Sequence, residues 1–162
     1  MPSCSISNNK IHARVSTPPN HQNVFGLAHH VVALFNSMFS TVEFQQIDES
    51  NIRVFIAFRQ LFPDLGLPPK YICFVMHKVS QTHYEIISSN HVLTPIEKEI
   101  VTSNKNEPLE FLTFYITIAP KEIIVDIEFL PNSIPPAMLP LLSGFTKKIF
   151  DKIDTFLKDY AG

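Results

Sequence analysis

The sequence predicts an α+β or β-rich fold: an antiparallel sheet or sandwich followed by a long C-terminal amphipathic helix. Three observations carry that expectation. Residues 52–58 and 71–76 are crowded with β-branched and aromatic side chains (Ile52, Val54, Phe55, Ile56, Phe58; Tyr71, Ile72, Phe74, Val75), which suits a sheet at least half buried. Residues 111–118 and 122–129 alternate, as strands with one core face and one wetter face do. Leu142, Phe145, Ile149, Ile153, Phe156 and Tyr160 recur at three- and four-residue steps, marking one face of a helix.

Length and composition bound the rest. A chain of 162 residues reads as one domain and buries roughly 70% of its unfolded surface. An apolar share of 45%, with 14 phenylalanines, is ample for a core. The net charge is −2 and no Lys/Arg run exceeds two residues, which argues against a general nucleic-acid binder. Cys4 in a polar stretch and Cys73 in an apolar strand make a poor disulfide pair, so the chain suits a reducing compartment, the cytoplasm or nucleus. No apolar run has the length of a membrane span.

Residues 1–23 carry Lys10 and Arg14 but no acid, with many Ser, Asn, Pro and His, and read as a mobile polar leader. Residues 24–134 form the β-rich domain, and 135–162 a linker and the C-terminal helix. From Val24 to Met38 the apolar spacing is helical, with a strand over 31–35 still open. Residues 42–47 read as a short strand before the turn Asp48-Glu49-Ser50-Asn51. The two central strands flank a bend, Phe62-Pro63-Asp64-Leu65-Gly66-Leu67-Pro68-Pro69, whose prolines cannot continue a ladder. Tyr84 to Ile87 is a further strand, Thr94-Pro95 ends it in extended geometry, and 102–108 is a solvated loop. In 111–118, Leu112, Phe114, Ile116 and Ile118 take the core face, leaving Phe111, Thr113, Tyr115 and Thr117 on the other. In 122–129, Ile123, Val125, Ile127 and Phe129 oppose Glu122, Asp126 and Glu128. Ala119-Pro120-Lys121 is short enough to join the two as a hairpin.

Nothing in the residues makes a catalytic or metal constellation. His29 and His30 are adjacent, and neighbours on a helix point about 100° apart. His77, His83 and His91 flank one predicted hairpin and share no metal-ligand spacing. Asp126 and Glu128 share a strand face, where solvated alternating charge explains them more simply than acid–base work. Cys73 lies between Ile72 and Phe74, the setting of a small core residue. Ser143-Gly144 lacks the glycine that a nucleophile elbow places before serine, and no glycine-rich phosphate loop is present. The expected protein is no enzyme and takes no cofactor. What remains is surface: Phe62, Pro63, Leu65 and Leu67 in the bend, with Tyr84, and with Phe111 and Tyr115 on a Thr-rich face, are either partner-binding positions or a cap on the core.

The stretch from Phe62-Pro63-Asp64, through a Gly/Pro bend into a strand at Tyr71, then Tyr84-Glu85-Ile86-Ile87 and a lone Pro95, resembles the Hikeshi family of nuclear import carriers. Residues 124–130, Phe145-Thr146-Lys147-Lys148 and Phe25-Gly26 are similar to later and earlier parts of that family. The resemblance implies a β-rich domain followed by helix, acting as a carrier in nuclear protein import and the heat-shock response. Such a carrier binds phenylalanine-glycine nucleoporins and the chaperone heat-shock protein 70. It further implies that Phe62, Pro63, Tyr84 and Pro95 define the fold, and it leaves a homodimer open. Two other readings stand beside it. One is a scaffold subunit that uses the Thr/Tyr face or the last helix as an interface. The other is a carrier of lipid or another apolar ligand. Two packed sheets favour the import carrier, whereas an enclosed cavity under the last helix favours the ligand carrier.

Overall fold

The structure, a computed structural model, describes residues 3–7, 9–16, 33, 37, 39–60, 68–90, 92–130, and the isolated positions 144, 147–148, 151–152 and 155. Nine strands form one sheet: β1 (Ser3–Ser7), β2 (Lys10–Ser16), β3 (Phe39–Asp48), β4 (Asn51–Phe58), β5 (Lys70–Lys78), β6 (His83–Ser88), β7 (Glu107–Pro108), β8 (Phe111–Ala119) and β9 (Glu122–Phe129). One helix, α1 (Pro95–Ser103), lies between β6 and β7. The strand order is β1-β2-β9-β8-β6-β5-β4-β3, antiparallel throughout; β7 joins the first residues of β5 in parallel.

This arrangement corrects the expected fold class. Among the described residues there is one sheet rather than a sandwich, and the one helix with complete bounds is the nine-residue α1, far from the C-terminus. The expected long C-terminal helix is not among the described elements, because only isolated positions of 140–160 are described. The stripe over 24–38 and the bend residues 61–67 likewise lie outside the described residues but for single positions.

The polar leader is corrected too. Ser3–Ser7 and Lys10–Ser16 pair with each other, and β2 pairs along its whole length with β9. The reason is period-two burial: Ile11, Ala13 and Val15 are 6%, 0% and 2% exposed, while Arg14 between them faces water. Three small-to-medium apolar residues at alternating positions suffice for a strand when β9 offers Ile127, Val125 and Ile123 opposite them.

α1 occupies the place where the sequence suggested only an end to β6. Thr94 is its N-cap: its hydroxyl accepts from the Glu97 backbone N–H (3.2 Å), and the Glu97 carboxylate accepts from Thr94 N–H (3.0 Å). Pro95 sits in the first turn, where its missing N–H costs nothing. Thr94-Pro95-Ile96-Glu97 is thus a helix start with a capping box, although the same proline also suits a strand end.

The sheet has two unlike faces. Ile52, Val54 and Ile56 of β4, Ile72 and Met76 of β5, Tyr84 and Ile86 of β6, Ile118 of β8 and Ile11 of β2 build the larger core cluster. Phe55, Ala57, Tyr71 and Cys73 point the other way and pack under Leu93, Ile100 and Val101 of the α1 segment. β4 and β5 are therefore apolar on both faces, which is why residues 52–58 and 71–76 read as continuous apolar runs. Asn90 ties this second cluster to its neighbours: its Oδ1 accepts from Cys73 N–H (2.7 Å) and its Nδ2 donates to Leu109 O (3.0 Å).

One strand departs from its expected phase. The register of β8 against β9 shifts between Phe111 and Thr113. That bulge reverses the first two side chains: Phe111 is 8% exposed and packs edge-on against Phe114 (5.6 Å), while Leu112 is 50% exposed. Beyond the bulge, Phe114, Ile116 and Ile118 keep the core face as expected.

Candidate functional site

The larger core face carries the arrangement that most needs an explanation. Side chains in the middle of central strands ordinarily pack to crystal-like density and vanish from solvent. Here Val54, Ile52 and Ile86 do, at 1%, 2% and 2% exposed. Phe74, Phe114, Ile116, Val125 and Ile127 do not: each faces the same side and remains partly exposed. Phe74 lies opposite Val54 of β4 and Ser88 of β6. Ile116 lies opposite Tyr84 of β6 and Val125 of β9, and Phe114 opposite Ile127. None of these belongs to an edge strand, since β5, β8 and β9 each have a strand on either side. Large apolar side chains left partly exposed on interior strands make an apolar wall on that face. Ser88 and the buried Tyr84 supply the polar residues on that wall.

Away from the apolar cluster under α1, the opposite face is polar. Directly paired positions form an unbroken row across it: His12, Asp126, Tyr115, Glu85, His77 and Asn51, from β2 through β9, β8, β6 and β5 to β4. His12 Nδ1 bonds Asp126, His77 Nδ1 meets Asn51 Oδ1 at 2.7 Å, and Tyr115 stacks on His83 at 5.6 Å. Among the described residues no three His, Cys, Asp or Glu side chains group as a metal site.

Under α1 lies a buried ion pair. Glu97, 0% exposed, receives both terminal nitrogens of Arg53, at 2.8 and 2.5 Å. The guanidinium holds the Glu97 carboxyl down to about 2, against the pull of burial. Glu43 on β3 is pushed upward by partial burial and by its closeness to Glu97. Burial also raises the Cys73 thiol to about 11. At that value the thiol is no nucleophile, which agrees with reading Cys73 as core.

The residues expected at a partner-binding surface separate. Phe62, Pro63, Leu65 and Leu67 lie outside the described residues. Tyr84 (3% exposed) and Phe111 (8%) are core and cannot meet a partner directly. Of the described residues in that set, Tyr115 alone is not buried. Asp126 and Glu128 are bound to His12 and Lys10, as alternating charge on a wet strand face would be. Sequence reasoning missed Phe74, Phe114, Ile116, Val125 and Ile127 as a group. Each reads as ordinary core, and partial exposure leaves no mark on composition.

Fold comparison gives first only a class, a largely antiparallel β architecture. In particular, the crystal structure of Ara h 8.0201 superposes with a TM-score of 0.50 at 12% sequence identity, covering 98% of this chain and 99% of that one. The crystal structure of TTHA0849 from Thermus thermophilus gives a TM-score of 0.47 at 10% identity, covering 92% and 90%. No protein-family model and no curated protein matches the chain. No helix among the described residues is long and apolar enough to cross a membrane.

Proposed function

We propose that the chain is a carrier of an apolar ligand, held against the core face of the sheet beside Phe74, Phe114 and Ile116. The observation that carries this reading is the partial exposure of those side chains on interior strands, where Phe74 lies beside the buried Val54 and Ile116 beside the buried Tyr84. An apolar wall with one or two polar residues, Ser88 and Tyr84 here, is the make-up of small-molecule sites that bury most of their ligand. The likeness to Ara h 8.0201 supplies the architecture alone. The reading itself rests on this chain's own side chains. The import-carrier alternative draws on Phe62 and Pro63, outside the described residues, and on packed sheets where the described strands make one.

The test is titration with a fluorescent fatty-acid analogue, alongside native mass spectrometry of the protein as purified. Saturable binding is expected, and Phe74→Ala or Ile116→Ala should weaken it about tenfold, the cost of losing one apolar contact surface. Absence of saturable binding, or equal binding by both variants and wild type, would overturn the reading.

A further inference from the structure

The polar face carries two stripes of opposite sign that no ligand reading uses. Lys10, His12 and Arg14 alternate along β2, all on the outer side. Glu128, Asp126 and Glu122 stand on the same side of β9. Lys10 meets Glu128 at 3.7 Å, His12 bonds Asp126, and Arg14 reaches Glu122 at 3.4 Å. These pairs are open to solvent: Lys10, His12 and Arg14 are 64%, 43% and 52% exposed, and their partners 32%, 49% and 33%. Exposed pairs of this kind contribute little to the stability of the fold. Arg14 engages Glu122 through one nitrogen of its fork.

We propose that this face pairs with the same face of a second copy of the chain. A cationic stripe beside an anionic one is self-complementary. A two-fold axis along the strands, midway between β2 and β9, carries the cations of one copy over the acids of the other. Lys10 then lies over the partner copy's β9 stripe, and the reverse holds by symmetry. Sheets stack about 10 Å apart, a gap that long Lys, Arg and Glu side chains span from the two sides. The same axis brings β1 of one copy over β8 of the other.

Ser5, His12, Asp126 and Tyr115 stand in one cross-strand row, so the axis sets Tyr115 over the second copy's Ser5. A depression of about 240 Å³ lies across β2 and β9 on this face, lined by Ser5, Lys10, His12, Thr113, Asp126 and Glu128 with Ile11 and Ile127. The contact spans about four strands and falls at the small end of interface sizes, so it is weak, concentration-dependent and salt-sensitive.

Charge swapping tests this, because it separates contacts within a copy from contacts between copies. One variant, Lys10→Glu/Arg14→Glu, has both stripes acidic; another, Glu122→Lys/Glu128→Lys, is basic at the ends of both. By sedimentation velocity at low salt, wild type is expected to self-associate, and about 0.5 M salt should weaken that at least tenfold. Each variant alone should be monomeric, and an equimolar mixture should form the mixed dimer. A wild type that stays monomeric at millimolar concentration and low salt overturns the proposal, as does a mixture that remains monomeric. Should the charge variants fail to fold by circular dichroism, Tyr115→Ala decides: about tenfold weaker self-association supports the interface, and unchanged association refutes it. Tyr115→Ala leaves fatty-acid-analogue binding intact if the carrier reading is right, so the two proposals fail separately.

Discussion

Replacing Arg53 by methionine tests how α1 is held to the sheet. The substitution keeps an unbranched, similarly long side chain and removes the only cation bonded to Glu97 among the described residues. Glu97 is 0% exposed and Arg53 14%, so the attraction between them is little screened by water. The carboxyl is held at about 2 against an ordinary 4.5, a difference worth about 3 kcal/mol at roughly 1.4 kcal/mol per tenfold change. Measured costs of removing one partner from a buried pair, about 3–5 kcal/mol, reach the same figure by another route. The direction with pH follows from the depressed value. The stabilisation is complete above the ordinary value of 4.5 and is lost as the pH falls through about 2. In Arg53→Met the buried carboxylate has no guanidinium, so it protonates more readily, and the variant loses less on acidification than wild type. Urea unfolding followed by circular dichroism should therefore show a gap of about 3 kcal/mol near pH 7 that narrows toward about pH 3.5. Arg53→Met/Glu97→Leu should recover most of the loss, short of about 1 kcal/mol for the Thr94–Glu97 capping box. A cost below about 1 kcal/mol near pH 7, or a gap that does not move with pH, would refute the reasoning and make the pair a solvated one.

Two further outcomes follow from the second cluster. Asn90→Ala strips partners from the buried Cys73 N–H and Leu109 carbonyl, and should cost about 2–4 kcal/mol in the same unfolding assay. Cys73 is 0% exposed with its thiol raised to about 11, so peptide mapping after iodoacetamide treatment near pH 8 should find it unmodified in the native protein and alkylated in urea.

Much of the sheet was legible because its signals are local. β-branched and aromatic density located β4 and β5, and alternation located β9 and the body of β8, with Asp126 and Glu128 on the wet side. The Asp48 turn was legible for the same reason: its carboxylate accepts from Ser50 N–H at 2.8 Å, a contact two residues away. A signal with two local meanings is not settled by either one alone. Pro95 reads equally as a strand end or a first helical turn, and the capping pair Thr94 and Glu97 resolves it. The start of β8 failed for another reason, since a bulge inserts one residue without altering composition, and Phe111 and Leu112 exchanged faces.

The sequence by itself determined that residues 52–58, 71–76, 84–87, 111–118 and 122–129 are strands and, along most of them, which side chains share a face. Both follow from a period of two residues, written in neighbours a few positions apart. Only the tertiary structure decided that residues 3–16 join the sheet, since their partner strand lies 114 positions away, as between His12 and Asp126. It alone decided that Phe74, Phe114 and Ile116 stay partly exposed on one face, and that one cationic and one anionic stripe stand side by side. Those outcomes depend on which strand lies next to which, and strand order is a sum of long-range contacts that no local period encodes.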